Sequence, residues 1–115
     1  MYLETILVLR NRIGAVRSID IANELDYSKP SVSVAMKNLR ENGYIETDGD
    51  GYILLTGKGE KIAMSVYDRH TTISQLLMRL GVNQKTAVED ACRIEHVISE
   101  ETFQKIKEHG AEHQE

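Results

Sequence analysis

The chain has 115 residues, of which 41% are hydrophobic and 28% charged, with a formal net charge of −4. This composition is typical of one modest domain or two small lobes and excludes a disordered chain. No apolar run approaches the roughly 20 residues that cross a bilayer, and the first residues resemble no signal peptide, so we expect no membrane partner. A single cysteine forms no internal disulfide, which agrees with an expected cytoplasmic location.

Three helices are predicted in the first third of the chain. Apolar residues at helical spacing predict a helix over residues 2–13 and a short second helix over residues 19–25, with Ser18 as its N-cap. After a turn, Ser28 is expected to cap a third helix that runs to about residue 42. A proline in its first turn costs little, because the N–H groups there have no partner within the helix.

The apolar period then changes to that of strands. The segments YIET at residues 44–47 and YILLT at residues 52–56 flank DGDG at residues 48–51. Tyr, Ile and Thr favour strands and Asp-Gly pairs favour a tight turn, so the pattern predicts a β-hairpin. Thr56 is then expected to cap a long helix that ends near residue 80.

Two further helices, over residues 85–98 and over residues 100–109 with Ser99 as a cap, are predicted before a tail without pattern. Two short helices joined by a tight turn and followed by a hairpin are the winged helix-turn-helix order. We therefore predict a mainly α fold with a small β-wing, divided into a winged helix-turn-helix domain at residues 1–60 and a helical domain at residues 61–115. The alternative is an unrelated small α+β domain.

The third predicted helix has a face suited to DNA. The second helix of a helix-turn-helix enters the major groove, where serine can donate or accept, an exposed valine can contact a thymine methyl group, and lysine or arginine can contact phosphates. The stretch from Arg10 to Arg40 also holds six basic and three acidic residues. An ordinary solvated helix face is the alternative. The candidate DNA-binding residues are Ser28, Pro30, Ser31, Val34, Lys37, Asn38 and Arg40.

The segment ACRIEHVISEE, residues 91–101, raises the question of a metal site. Its Cys92, Glu95 and His96 lie three and four residues apart and would share one face of the predicted helix. Thiolate, carboxylate and imidazole together suit a late first-row divalent ion better than calcium or magnesium. Two alternatives stay open: Cys92 as a small buried apolar residue, and Cys92 as an oxidisable thiol.

Several motifs, taken together, resemble one family of proteins. MYLETI, SIDIANEL-DYSKPSVSVAMKNL, LTGKGEKIA, YDRH and EDACRIEHVIS are similar to segments of the diphtheria-toxin-repressor and manganese-transport-regulator family, over about residues 1–108. The resemblance implies a bacterial metal-activated transcriptional repressor in its short two-domain form. The second domain is then expected to bind metal and to dimerise.

The resemblance also implies a metal site built between the first helix and the dimerisation helices. Met1, Cys92, Glu95 and His96 match the ligands of the iron-type members. Glu4 and His70 match ligands of the manganese-type members, which have a carboxylate where this chain has Cys92. The chain therefore mixes both patterns. Ser74 and Val88 stand where ancillary iron-type ligands would be. The candidate metal ligands are Cys92, Glu95, His96, His70, Glu4 and Met1.

These observations predict a metal-dependent DNA-binding repressor rather than an enzyme. Fe(II) or Mn(II) is the expected co-repressor, controlling metal-homeostasis genes, and Zn(II) or Co(II) can also bind in vitro. A homodimer is expected to bind a palindromic double-stranded operator. No zincin motif, paired nucleophile and base, or phosphate-binding loop is present. The alternative function is a winged-helix regulator that responds to redox conditions or another ligand through Cys92.

Overall fold

The structure, a computed structural model, describes residues 2–112 and forms two compact units that divide between Ser65 and Val66. Six helices and one two-stranded antiparallel sheet make up the described residues, which confirms the predicted fold class. No helix within residues 2–112 is long and apolar enough to span a membrane. The elements in chain order are α1 Tyr2–Ile13, α2 Ser18–Leu25, α3 Lys29–Glu41, β1 Ile45–Thr47, β2 Ile53–Leu55, α4 Gly57–Arg79, α5 Gln84–Ile94 and α6 Glu100–Glu112.

The core of the first unit is built from faces that the apolar spacing predicts. The helices α1, α2 and α3, the start of α4 and both strands each contribute buried side chains to it. The most deeply buried of these are Ile6, Ile21, Val32, Ile45 and Ala63. Burial of aliphatic side chains contributes about 1.5–3 kcal/mol for each large residue, so these helices are held by packing rather than by helix propensity alone.

The wing is a short hairpin whose register places one apolar residue of each strand in the core. Ile45 pairs with Leu55 and Thr47 pairs with Ile53, while Val16 adds an isolated bridge to Ile53. The hairpin is also packed tightly against the start of α4, since a side chain at Gly59 would collide with the Tyr44 carbonyl oxygen. Only glycine fits at that position.

Four of the five predicted caps or turns are confirmed, and one is wrong. Ser28 accepts a hydrogen bond from the N–H of Ser31 (3.3 Å), and Thr56 accepts one from Gly59 (3.1 Å). Ser99 likewise accepts one from Thr102 (3.1 Å), and the hairpin turn forms. Ser18, however, is the first residue of α2, and Arg17 is the N-cap.

The physical reason for the shift at α2 is a carboxylate. The backbone N–H of Arg17 donates to Asp20 Oδ2 (2.8 Å), so an acid in the first turn satisfies the group that a capping box would satisfy. A second carboxylate joins α2 to α1: Arg12 Nη2 lies 2.8 Å from Glu24 Oε1. This hydrogen bond holds the pKa of Glu24 below its ordinary value.

The second unit consists of the later part of α4 with α5 and α6. Ile73, Ala91 and Phe103 form its buried cluster, with Ile94 and Ile98 packed against them. The predicted boundary after residue 60 falls within α4 and stays a prediction. The predicted tail is partly wrong, since residues 110–112 continue α6.

The predicted helix over residues 85–98 is too long. The helix α5 ends at Ile94, and the N–H groups of His96 and Val97 then donate to the carbonyls three residues earlier (3.3 and 3.0 Å). Hydrogen bonds to the third preceding residue are typical of a 3₁₀ turn, so a single 3₁₀-type turn follows the end of α5. Because Ser99 caps a new helix only five residues after Ile94, the chain has to change direction in this short connection.

Candidate functional site

The three residues at the centre of ACRIEHVISEE converge in the structure, although not on a single helix. Cys92 lies in the last turn of α5, Glu95 is its C-cap, and His96 follows in the turn. One ligand atom of each lies within 4.8 Å of the others. The assumption of one continuous helix was therefore wrong for Glu95 and His96. The predicted convergence is nevertheless confirmed. The backbone at Glu95 keeps helical dihedral angles after α5 ends, so the three side chains still point to one place.

The group combines buried and solvent-open donors. The Glu95 side chain is 6% exposed and that of His96 is 69% exposed, while Cys92 is an exposed free thiol. Glu95 Oε1 and His96 Nε2 lie 3.6 Å apart. The carboxylate is thus fixed by its surroundings, whereas the thiol and the imidazole can rotate toward an ion arriving from solvent.

The other candidate ligands are placed differently. His70 lies on α4, half-buried, with Nε2 3.3 Å from the Val88 carbonyl oxygen, and it is not part of the three-residue group. Glu4 is half-buried on α1, in the first unit. Met1 lies outside the described residues. The roles of these three residues as ligands stay predictions.

The two positions that depart from the iron-type pattern bear no obvious ligand. Ser74 is buried and its hydroxyl donates to the Thr71 carbonyl oxygen (3.1 Å). Val88 is 40% exposed and aliphatic. Neither position supplies a carboxylate or an imidazole, so the ancillary ligands that the iron-type resemblance implies are missing here.

The helix α3 presents the predicted outward face. Val32 and Met36 are buried, as predicted, and Val34 is 61% exposed. Ser31 and Lys37 are exposed on the same side. The outward candidates are thus available to a ligand, which is the arrangement that major-groove contact requires.

Three of the candidate DNA-binding side chains also have partners within the chain. The hydroxyl of Ser28 donates to Ser31 Oγ (2.8 Å), so the first turn of α3 is ordered from within. Arg40 Nη1 donates to Thr47 Oγ1 on β1 (3.3 Å). The arginine therefore connects α3 to the wing, a role that the sequence did not indicate.

The remaining two candidates, Pro30 and Asn38, are exposed. Pro30 occupies the first turn of α3, where no N–H bond is lost. The backbone carbonyl of Asn38 accepts a hydrogen bond from the side chain of Asn42 (2.7 Å), so this contact does not use the side-chain amide of Asn38.

Comparison with known proteins places both units in one family. Residues 1–52 match the model described as "Iron dependent repressor, N-terminal DNA binding domain", and residues 56–114 match "Iron dependent repressor, metal binding and dimerisation domain". The chain belongs to the iron-dependent repressor family.

Curated members of the family include two kinds of regulator. The chain is 36% identical to the transcriptional regulator MntR of Escherichia coli O157:H7 over 114 residues, which are 96% of this chain and 74% of that protein. It is 33% identical over 107 residues to the iron-dependent repressor IdeR of Mycobacterium tuberculosis, covering 92% of this chain and 46% of that protein.

Solved structures of the family have the same fold. The crystal structure of IdeR from T. acidophilum matches 96% of this chain with a TM-score of 0.85 and 29% identity. The manganese regulator SloR matches 93% with a TM-score of 0.80 and 30% identity. The chain spans about half the length of these two proteins (52% and 50%).

The donor set of the three-residue group fits a divalent transition-metal ion. Metal bonds to sulfur, nitrogen and oxygen are about 2.0–2.3 Å long, so two ligands of one ion lie at most about 4.5 Å apart. The spread of 4.8 Å in the structure is only slightly larger. The Cys92 and His96 side chains are both exposed, so packing does not hold them at this separation.

Proposed function

We propose that the chain is a metal-dependent DNA-binding transcriptional repressor that controls metal-homeostasis genes, with Fe(II) or Mn(II) as its co-repressor. The observation that carries the proposal is the convergence of Cys92, Glu95 and His96 in one turn of a chain that belongs to this family. We propose these three residues as ligands of the ion, and His70, Glu4 and Met1 as further ligands on the family resemblance. Zn(II) and Co(II) are expected to bind in vitro.

The ligand set explains why an ion would change the protein. An ion bound here would bring the exposed Cys92 and His96 side chains together with the buried Glu95 carboxylate and would offset the negative charge of that carboxylate. Because coupling between two sites is reciprocal, a metal that tightens DNA binding is itself bound more tightly in the presence of DNA.

The DNA surface of the proposed repressor is the outward face of α3. We propose Ser31, Val34 and Asn38 for contacts with base edges, and Lys37 and Arg40 for phosphates. Ser28 and Pro30 shape the first turn, where base contacts concentrate. We propose that the DNA-binding domain spans residues 1–60 and that the metal-binding domain spans residues 61–115. We also propose that the protein is cytoplasmic and acts as a regulator rather than as an enzyme.

A homodimer on a palindromic operator completes the proposal. Several apolar side chains of the second unit are exposed, and a monomer would leave them in contact with water. Sedimentation at micromolar protein should show a dimer, and a monomer both with and without metal would contradict the proposed palindromic recognition. The side chains are Tyr67, Met78, Leu80, Val88 and Val97.

The experiment that tests the function is enrichment of a random duplex library by anaerobically purified protein, with Mn(II), with Fe(II) and with chelator. We expect enrichment of an inverted repeat only with metal. Binding that ignores metal but is abolished by peroxide would support the alternative, a regulator that responds to oxidation of Cys92, whose thiol is exposed.

A further inference from the structure

Arg69, one residue before His70 on α4, contacts the connection that carries two of the proposed ligands. Its Nη2 donates to the carbonyl oxygens of Glu95 (3.3 Å) and Ile98 (3.2 Å). Its Nη1 donates to Glu100 Oε2 (3.0 Å), at the first residue of α6. One guanidinium therefore binds the first part of the connection at Glu95, its last part at Ile98, and the first residue of α6 at Glu100.

The surroundings of Arg69 make this arrangement rigid. The side chain is 19% exposed, and its guanidinium carbon lies 5.0 Å from the centre of the buried Phe103 ring. The ring fixes the plane of the guanidinium, so its donors are aimed rather than free to rotate. Lysine offers no such fork and would not reach the three acceptors together.

The position of the charge also suits the helix ends it joins. Carbonyl groups at the C-terminus of α5 have no partner within the helix and carry a partial negative charge, which a cation stabilises. Glu100 in the first turn of α6 is favourable there for the opposite reason. Arg69 therefore offsets the partial negative charge at the end of α5 and pairs with the acid that favours the start of α6.

We infer that Arg69 is a positioning residue for the metal site. It does not touch the ion; it fixes the Glu95 carbonyl, and with it the backbone from which the Glu95 and His96 side chains leave. Loss of Arg69 should leave a folded chain whose ligands have to be ordered by the ion itself, at a cost in affinity. The inference rests on the proposed function.

The sequence alone did not reveal this role. Arg69 stands 26 residues before Glu95 and 31 before Glu100, and no spacing rule connects such positions. From the motif YDRH alone, Arg69 would be interpreted as a solvent-exposed cation next to the candidate ligand His70.

The test uses Co(II), whose charge-transfer absorption reports a bound thiolate, on the full chain under reducing conditions. Arg69→Gln removes the fork, and Lys107→Gln is the matched control. Lys107 is also a cation near the Phe103 ring (5.9 Å) and also forms an ion pair, with Asp68 (2.6 Å), but its bonds do not reach the connection. Titrations are run well below the melting temperatures of the apo proteins.

We expect Arg69→Gln to weaken Co(II) binding at least about tenfold, the lower end of what loss of a supporting partner of a metal ligand costs. Lys107→Gln should remain within about twofold, and Arg69→Lys should fall between Arg69→Gln and the wild type.

Equal affinity of Arg69→Gln and the wild type, or equal losses in Arg69→Gln and Lys107→Gln, would overturn the inference. If Arg69→Gln does not fold, Arg69→Lys decides: an unchanged affinity rejects the role, and a loss supports it. A wild type that binds Co(II) without the thiolate absorption would instead refute the proposed ligand set and the inference with it.

Discussion

Replacement of His96 by alanine separates metal binding from folding more cleanly than any other change at the site. The His96 side chain is 69% exposed, so the apo protein should lose no more than about 0.5 kcal/mol, as is usual for surface positions. The ion, however, would lose one of three converging ligands. We therefore expect the variant to fold as the wild type does and to lose its response to metal.

The expected size of that response follows from linkage. An ion that binds only the folded chain, at a hundredfold excess over its dissociation constant, stabilises it by about 2.7 kcal/mol. For a chain of 115 residues each kcal/mol corresponds to roughly 4 °C, so Mn(II) or Co(II) should raise the melting temperature of the wild type by about 10 °C. The same ion should shift the His96→Ala variant by less than about 2 °C.

The assay is thermal unfolding followed by circular dichroism, with and without the ion, alongside metal-dependent DNA binding. Arg93→Ala is the matched control, because Arg93 lies between Cys92 and Glu95, its side chain is 79% exposed and it offers no ligand. It should keep the full shift. If His96→Ala also kept the shift and the metal-activated DNA binding, the ion would bind elsewhere and the convergence at residues 92–96 would have no function.

Four other changes test separate parts of the proposal. Lys37→Ala should weaken binding to all DNA about equally and lower the salt slope by about one unit, measured by fluorescence anisotropy; an effect on one base position alone would refute the phosphate assignment. Cys92→Glu should shift preference from Co(II) toward Mn(II) in competition titrations without abolishing binding. Arg12→Gln should raise the pKa of Glu24 toward its ordinary value, as measured by NMR titration. Because the pKa of Glu24 is depressed in the wild type, the pair stabilises the folded chain at pH values above the ordinary carboxyl pKa. That stabilisation is lost as the pH falls through the depressed pKa. Glu4→Gln should keep the Co(II)–thiolate absorption but reduce the metal dependence of DNA binding by about 5–150-fold.

Much of the fold could be predicted because local and global signals agree along this chain. The apolar stripe of α1 predicts its bounds, Tyr2–Ile13, and the buried side of α3 follows from the positions of Val32 and Met36. The Asp-Gly turn sets the hairpin. In each case one periodicity holds from the first residue to the last, so packing has nothing to override.

The end of α5 could not be predicted in the same way. Ile94 and Ile98 are four residues apart and both pack against the second core, so the apolar spacing continues past the point where the helix ends. Just beyond the helix end, Arg69, 26 residues before Glu95, donates hydrogen bonds to the carbonyls of Glu95 and Ile98. Periodicity contains no information about such a partner.

The position of the three converging ligands sets a condition on any mechanism. Cys92, Glu95 and His96 span five residues of the second unit, so an ion held by them alone would contact one turn of that unit and little else. A ligand shifts an equilibrium only by its differential affinity for the two states. Control of α3, in the first unit, therefore needs a coupling to that unit, and Glu4 on α1 is the residue that we propose for it. If Glu4→Gln left metal-activated DNA binding intact, the response would have to travel by a route other than direct ligation.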